Sequence, residues 1–198
     1  MNYLAHLFLA KETAQSYHGN LLGDFQRGID TTTLSPSMKS ALDNHVLVDK
    51  FTDFHPLVKQ SKSLFSDKRR RFSGIALDVL YDHLLIKHWT QFSPTSFQEF
   101  KVHSYQLLNQ QLPMMHLPMQ HVIKNLITND WFEQYCTLIG TQQALSNIVK
   151  RVRFKNEFSG IEVEVADNLE QLEASFLCFF PELIEHIAQY GPENEHRP

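Results

Sequence analysis

Ile75-Ala76-Leu77-Asp78-Val79-Leu80-Tyr81-Asp82-His83-Leu84-Leu85-Ile86-Lys87-His88-Trp89 decides the fold. At helical period, Ile75, Leu77, Val79, Leu80, Leu84, Leu85 and Trp89 leave almost no polar face. A helix that is apolar nearly all round belongs in the middle of a protein, covered by other elements. The charged residues inside it, Asp78, Asp82 and His83, therefore need a reason to be there. A buried carboxylate costs several kcal/mol unless it is paired or bound to a cation.

The rest of the chain supplies helices to cover this one. Tyr3, Leu4, Leu7 and Phe8 stripe a short first helix. Ser35-Pro36 is a helix start, a capping serine followed by proline at the first helical position. That helix runs through His45 and Asp49 to about Asp53, and His55-Pro56 breaks it. A second helix then runs from Pro56 to about Phe65. Ser96-Phe97-Gln98-Glu99 is a capping box opening a helix to about Leu112, and Asp130-Trp131-Phe132-Glu133 resembles another. Thr141 to Phe154 and Ala166 to Gln189 are amphipathic, and Pro181 should kink or split the last. Only Ile161 to Val165 alternates like a strand, and it has no partner. The expected fold is all-α, one helical domain over 1–190, with a polar, disordered tail over 191–198.

Composition narrows the class. The 198 residues are 42% hydrophobic with 15 Phe, enough for one full core. Only 7 Gly and 8 Pro argue against a turn-rich β fold. A net charge of -4 gives no general affinity for nucleic acid. No uncharged run approaches a bilayer span, and there is no leader-like start, so a cytoplasmic setting without membrane contact is expected. Cys136 and Cys178 lack metal-type spacing and read as buried free thiols.

Acids and histidines recur within apolar runs. Asp78 and Asp82 lie four apart on one helix face, where like charges repel. A divalent cation would reverse that sign; ion pairs with Arg69, Arg70 or Arg71 are the alternative. His45, Asp49 and Asp53 follow at i, i+4 and i+8. A histidine with carboxylates suits Mn, Fe, Zn or Ni, while a local pair on a solvated edge explains His45 and Asp49 as well. Asp53 reads better as the cap of the helix from Pro56. Asp24 closes Gly19-Asn20-Leu21-Leu22-Gly23-Asp24, whose glycines permit close backbone approach. His6 lies in the apolar first helix, where a lone histidine is more often a hydrogen-bonded core residue than a ligand. The remaining histidines lack carboxylates at helical spacing and read as surface or packing residues.

Four segments together resemble the acyl carrier protein phosphodiesterases, also called acyl carrier protein hydrolases. They are Met1-Asn2-Tyr3-Leu4-Ala5-His6-Leu7, Gly19-Asn20-Leu21-Leu22-Gly23-Asp24-Phe25, the Asp49-x3-Asp53 segment and Leu77-Asp78-Val79-Leu80-Tyr81-Asp82-His83. The resemblance extends to His88-Trp89, the Trp131 region and Phe179-Phe180-Pro181, and covers nearly the whole chain. It implies a fold distantly similar to the HD-type metal phosphohydrolases. It implies a divalent-metal enzyme, with Mn2+ favoured and Mg2+ or Fe2+ compatible, that releases 4'-phosphopantetheine from the serine of holo-acyl carrier protein. The matching site positions are His6, Asp24, Asp78, Asp82 and His83, together with His45 and Asp49. In that scheme Asp24, Asp78 and the imidazole of His6 or His83 hold the metal, and Asp82 positions or deprotonates water. Asp82, Asp24 and His83 form the catalytic set. Gly23 departs from the family's alanine, and Asp82-His83 reverses the His-Asp order of the HD enzymes, so ligand roles do not transfer from them.

An acidic carrier protein needs a basic, partly apolar face to dock on. Lys68, Arg69, Arg70 and Arg71 form one basic cluster beside the Asp78 helix. Lys150-Arg151-x-Arg153-Phe154-Lys155 forms another, which reads rather as a solvated helix end, where cations are favoured. Two rivals share this sequence: an HD-like phosphohydrolase acting on a nucleotide or other small phosphodiester, and a non-catalytic helical binding module whose aspartates pair with arginines.

Overall fold

Helix α5, Ser73–Lys87, lies at the centre as its composition demands: Ala76, Leu77, Leu80, Leu84 and Leu85 are at most 1% exposed. The structure, a computed structural model, describes residues 1–151 and 158–194, the side chains of 149–151 excepted. The helices before α5 are α1 (Tyr3–Phe8), α2 (Ala14–Leu22), α3 (Pro36–Phe54) and α4 (Pro56–Ser63). Those after it are α6 (Trp89–Phe92), α7 (Phe97–Gln111), α8 (Leu117–Thr128), α9 (Trp131–Gln134), α10 (Leu138–Arg151), α11 (Ile161–Asp167) and α12 (Leu169–Tyr190). Among the described residues there is no strand, and no helix is long and apolar enough to cross a membrane. The fold class is all-α.

α1, α4, α10, α11 and α12 pack directly on α5, while α2 lies against α3, α1 and α7. The α2–α3 contact is close because Gly19 brings no side chain to it; a Cβ there would run into Ala41 and approach the Met38 carbonyl at 2.8 Å. Caps follow the sequence signals. Ser35 accepts from Met38 N with Pro36 behind it, and Ser96 with Glu99 completes a reciprocal capping box. Asp130 takes the left-handed conformation (φ 42°) to accept from Glu133 N.

Several expectations are corrected. Residues 161–165 are helical: Ile161 and Val165 are buried four apart while Val163 is 55% exposed, a helical and not an alternating pattern. Glu164 between them accepts from Ser66 N and Oγ and from Arg69 Nη1, so its charge serves a tertiary contact. Pro181 lies inside an unbroken α12. It faces solvent, where the carbonyl it leaves without a donor can be hydrated, while Phe176, Phe179, Phe180 and Leu183 anchor both sides in the core. Asp53 does not cap α4; it pairs with Lys62 Nζ at 2.8 Å, and the cap is His55, accepting from Leu57 N. Both cysteines are free, but Cys136 is half-buried and Cys178 exposed. The start of the expected tail is tied down: Glu193 accepts from Lys11 N at 3.2 Å and from Asn20 Nδ2 at 2.8 Å, and Asn194 Nδ2 donates to the Ile187 and Ala188 carbonyls. Residues 195–198, like the Lys150–Lys155 side chains and the expected helix end at Phe154, lie outside the described residues.

Candidate metal centre

Two imidazoles and one carboxylate, His6 from α1 and His45 and Asp49 from α3, meet in one place. His45 and Asp49 come from successive turns of α3, so local spacing alone brings His45 Nε2 to 3.1 Å from Asp49 Oδ2. His6 arrives from α1, its Nε2 3.2 Å from Asp49 Oδ1. The two rings stack with centroids 4.0 Å apart and planes 17° from parallel. Potential ligand atoms of His6, His45 and Asp49 all lie within 4.8 Å of one another, and no other such group occurs among the described residues.

Position 23 shapes this stack. A Cβ on Gly23 would collide with the Cδ2–Nε2 edge of the His45 ring. Hydrogen is therefore the only side chain compatible with the observed ring position.

The electrostatics separate the three donors. Burial lowers the His6 pKa to about 3, against the pull of Asp49, so its imidazole stays neutral with a lone pair to offer. Its Nδ1 and Nε2 and the Nδ1 of His45 are buried without an aligned hydrogen-bond partner. Burial would raise Asp49, but contacts with His45 and His6 and the charge of the Met1 ammonium hold its carboxyl well below the usual range. That ammonium lies 3.0 Å from Asp49 Oδ1 and 3.2 Å from Asp78 Oδ1. Burial opposes its charge, yet Asp78 and Asp49 outweigh burial and push it up to about 10. It stands in, as a single positive charge, where a cation is favoured. The neutral His6 imidazole and the His45 ring, both buried with ring nitrogens short of partners, beside an ionised, half-buried carboxylate form a donor set that fits a divalent metal of the Mn–Zn series.

The other predicted residues divide into three. Asp24, in the turn after α2, feels His45, Asp49, the Met1 ammonium and Asp78; its outer face is open, but crowding by protein around the carboxyl raises its pKa. Asp78 joins through the ammonium, and the expected ion pairs with Arg69–Arg71 do not form: Arg69 pairs with Glu164, Arg70 with Asp67, and Arg71 lies over the Phe72 ring.

Asp82 is committed elsewhere. Fully buried, its oxygens accept from Leu4 N at 3.2 Å and Ala5 N at 3.0 Å. It caps α1 from 77 and 78 residues away, and burial, opposed by those two N–H groups, pushes its carboxyl up to about 7. His83, next in sequence, is about 100° round the helix. Its Nδ1 lies 2.7 Å from the Tyr135 carbonyl, apart from the imidazole–carboxylate group.

Sequence reading missed two features of this centre: the Met1 ammonium, and an aromatic run from its rim. Phe25 stacks on Tyr3 (6.4 Å between centroids) and Tyr3 meets Trp131 (6.2 Å). The adjacency of Phe25 to Asp24 and of Tyr3 to the first motif was the available signal.

Fold and centre define an all-helical protein with a compact imidazole–carboxylate centre. The chain belongs to the acyl carrier protein phosphodiesterase family, whose family model matches residues 1–183. Proteins named acyl carrier protein phosphodiesterase are similar along nearly their whole length. The one from Serratia proteamaculans is 33% identical over 186 residues, 93% of this chain and 96% of its own. The one from Yersinia pestis is 34% identical over 185 residues, 93% of this chain and 96% of its own. The one from Escherichia coli O45:K1 is 30% identical over 190 residues, 96% of this chain and 98% of its own. No solved structure matches the chain.

Proposed function

We propose that this protein hydrolyses the phosphodiester joining 4'-phosphopantetheine to the serine of holo-acyl carrier protein, using a divalent cation, Mn2+ favoured and Mg2+ or Fe2+ compatible. The observation that carries the metal is the meeting of His6, His45 and Asp49 within 4.8 Å, with His6 and Asp49 coming from two of the segments that carry the family resemblance. Family membership carries the reaction. The likeness to HD-type phosphohydrolases belongs to the same reading, supported by the helical class alone.

His6, His45 and Asp49 would hold the cation. When bound, it supplies charge neutralisation on the phosphoryl oxygens and a lowered pKa for attacking water. His6 serves by staying neutral, Asp49 by staying ionised. Asp24, at the rim with its carboxyl raised toward protonation, is suited to hold a proton for the departing serine oxygen. Asp78 adds negative charge beside Asp49. Asp82 becomes a positioning residue: it fixes α1, and α1 carries His6. His83 has no step in this scheme.

Carrier protein docks on this reading at Lys68, Arg70 and Arg71, which are exposed, whereas Arg69 is occupied by Glu164 and the Ser159 carbonyl. The setting is cytoplasmic, without nucleic acid. Intact mass of holo-acyl carrier protein incubated with the protein, with Mn2+ or with EDTA, tests the whole reading. Metal-dependent loss of one phosphopantetheine group is expected. Loss that persists in EDTA would remove the metal. Turnover of nucleotide diesters with none of carrier protein would select the small-substrate phosphohydrolase. No metal and no turnover would select the binding module.

A further inference from the structure

A cleft of about 240 Å³ lies among α1, α5, α8, α9 and α10. Asn2, Tyr3 and Val79 line it; Tyr3 stacks on Phe25, the neighbour of Asp24, so the cleft meets the rim of the centre there, and Asn2 follows Met1, whose ammonium bridges Asp49 and Asp78. Trp131 continues the wall that Phe25 and Tyr3 start at Asp24. Asn147, the apolar side chain of Ile148 and Gln134, whose Nε2 donates to the Asn129 carbonyl, line it as well.

Asn2 is the informative residue. It occupies the N-cap of α1, where an asparagine ordinarily turns its side chain back onto the first-turn N–H groups. Here it makes no cap hydrogen bond, because Asp82 has taken the N–H groups of Leu4 and Ala5. The Asn2 amide is thereby released to the cleft.

We propose that this cleft seats the pantetheine arm of the substrate, its phosphate at the metal centre and its thiol end toward Ile148. The inference rests on the reading that the protein cleaves holo-acyl carrier protein. Pantetheine is a narrow chain with two secondary amides separated by methylene groups. A cleft lined by amide side chains together with aromatic and aliphatic ones matches that alternation of polar and apolar groups. The arm is common to every carrier protein, so gripping it recognises the modification rather than the protein surface.

The test uses the full chain with Mn2+ and two variants. Ile148→Trp fills the cleft; Asn2→Leu removes the amide while keeping its bulk. Steady-state kinetics on holo-acyl carrier protein are read together with inhibition by free pantetheine, which lacks the phosphate and so reports the cleft alone. Loss of binding shared by ground and transition states raises KM and spares kcat. Ile148→Trp is expected to raise KM by about 10-fold or more and abolish pantetheine inhibition. Asn2→Leu is expected to raise KM by about 3–10-fold with Tm unchanged, since its amide caps nothing. Unchanged KM in both variants, a fall in kcat at constant KM, or undiminished pantetheine inhibition would each overturn the assignment. If Ile148→Trp loses its helical circular dichroism, Asn2→Leu decides. If the wild-type protein releases no phosphopantetheine, the functional reading fails by itself; calorimetry with pantetheine then decides the cleft, binding supporting it and no binding overturning it.

Discussion

A methyl group added at Gly23 would have to share space with the His45 ring. Gly23→Ala should therefore swing His45 away from Asp49 and weaken Mn2+ binding by about 10–100-fold, the usual size of a disturbed ligand orientation; calorimetric titration of metal reads this directly, and unchanged affinity would mean that His45 is not a ligand. Protonation gives a second residue-scale prediction. Asp82 rises from 3.8 to about 7, so the folded metal-free protein holds a proton that the unfolded chain has lost, and this contribution to stability falls as pH rises between those values. His6 drops from 6.5 to about 3; the unfolded chain binds the extra proton, and that contribution rises with pH over this range. The two oppose each other between about pH 4 and pH 6.5. Asp82→Asn should be less stable near pH 4, because one of two buried N–H groups loses its acceptor at about 1–3 kcal/mol, and the deficit should close or reverse toward pH 7. Its stability should also climb more steeply with pH than that of the wild type; parallel urea-unfolding curves in EDTA would refute the assignment. Sequence spacing made His45 and Asp49 legible, since both lie on one helix. It could not show that His6 would meet them, nor that Asp82 and His83, adjacent in the chain, serve different neighbours.

Helices were legible wherever one face is consistently apolar, as in α5 and α12, or where a cap is explicit, as at Ser35-Pro36 and Ser96–Glu99. α11 was obscured because Ile161-Glu162-Val163-Glu164-Val165 alternates, and only packing decides that Ile161 and Val165, and not Val163, are the buried set. α2 gave no periodic signal: Ser16, His18 and Asn20 are buried along with its leucines, held by contacts with α3, α7 and the segment after α12. Its glycine is the exception, because close helix approach requires one. Gly19→Ala should force α2 off α3 and destabilise the protein by about 1–3 kcal/mol, as overpacking does, seen as a lower urea midpoint at unchanged slope. A stability equal to wild type would mean that the two helices separate without cost.

Across the whole molecule, the acidic chain turns an exposed basic group toward solvent at Lys68, Arg70 and Arg71. Reversing these three charges to Glu, with Arg69 left to hold Glu164, should raise KM for carrier protein by about 10-fold or more in dilute buffer and far less above about 0.5 M salt, where the screening length is only a few ångströms. An increase independent of salt would place docking elsewhere. The global arrangement also orders events during synthesis. A six-residue segment such as α1 cannot hold itself helical in water. It gains its acceptor only from Asp82, so about 80 residues must be made before His6 has a fixed address. On the proposed metal reading, a nascent chain would bind the cation weakly until α5 has been made and has docked, so that loading would follow folding rather than trigger it.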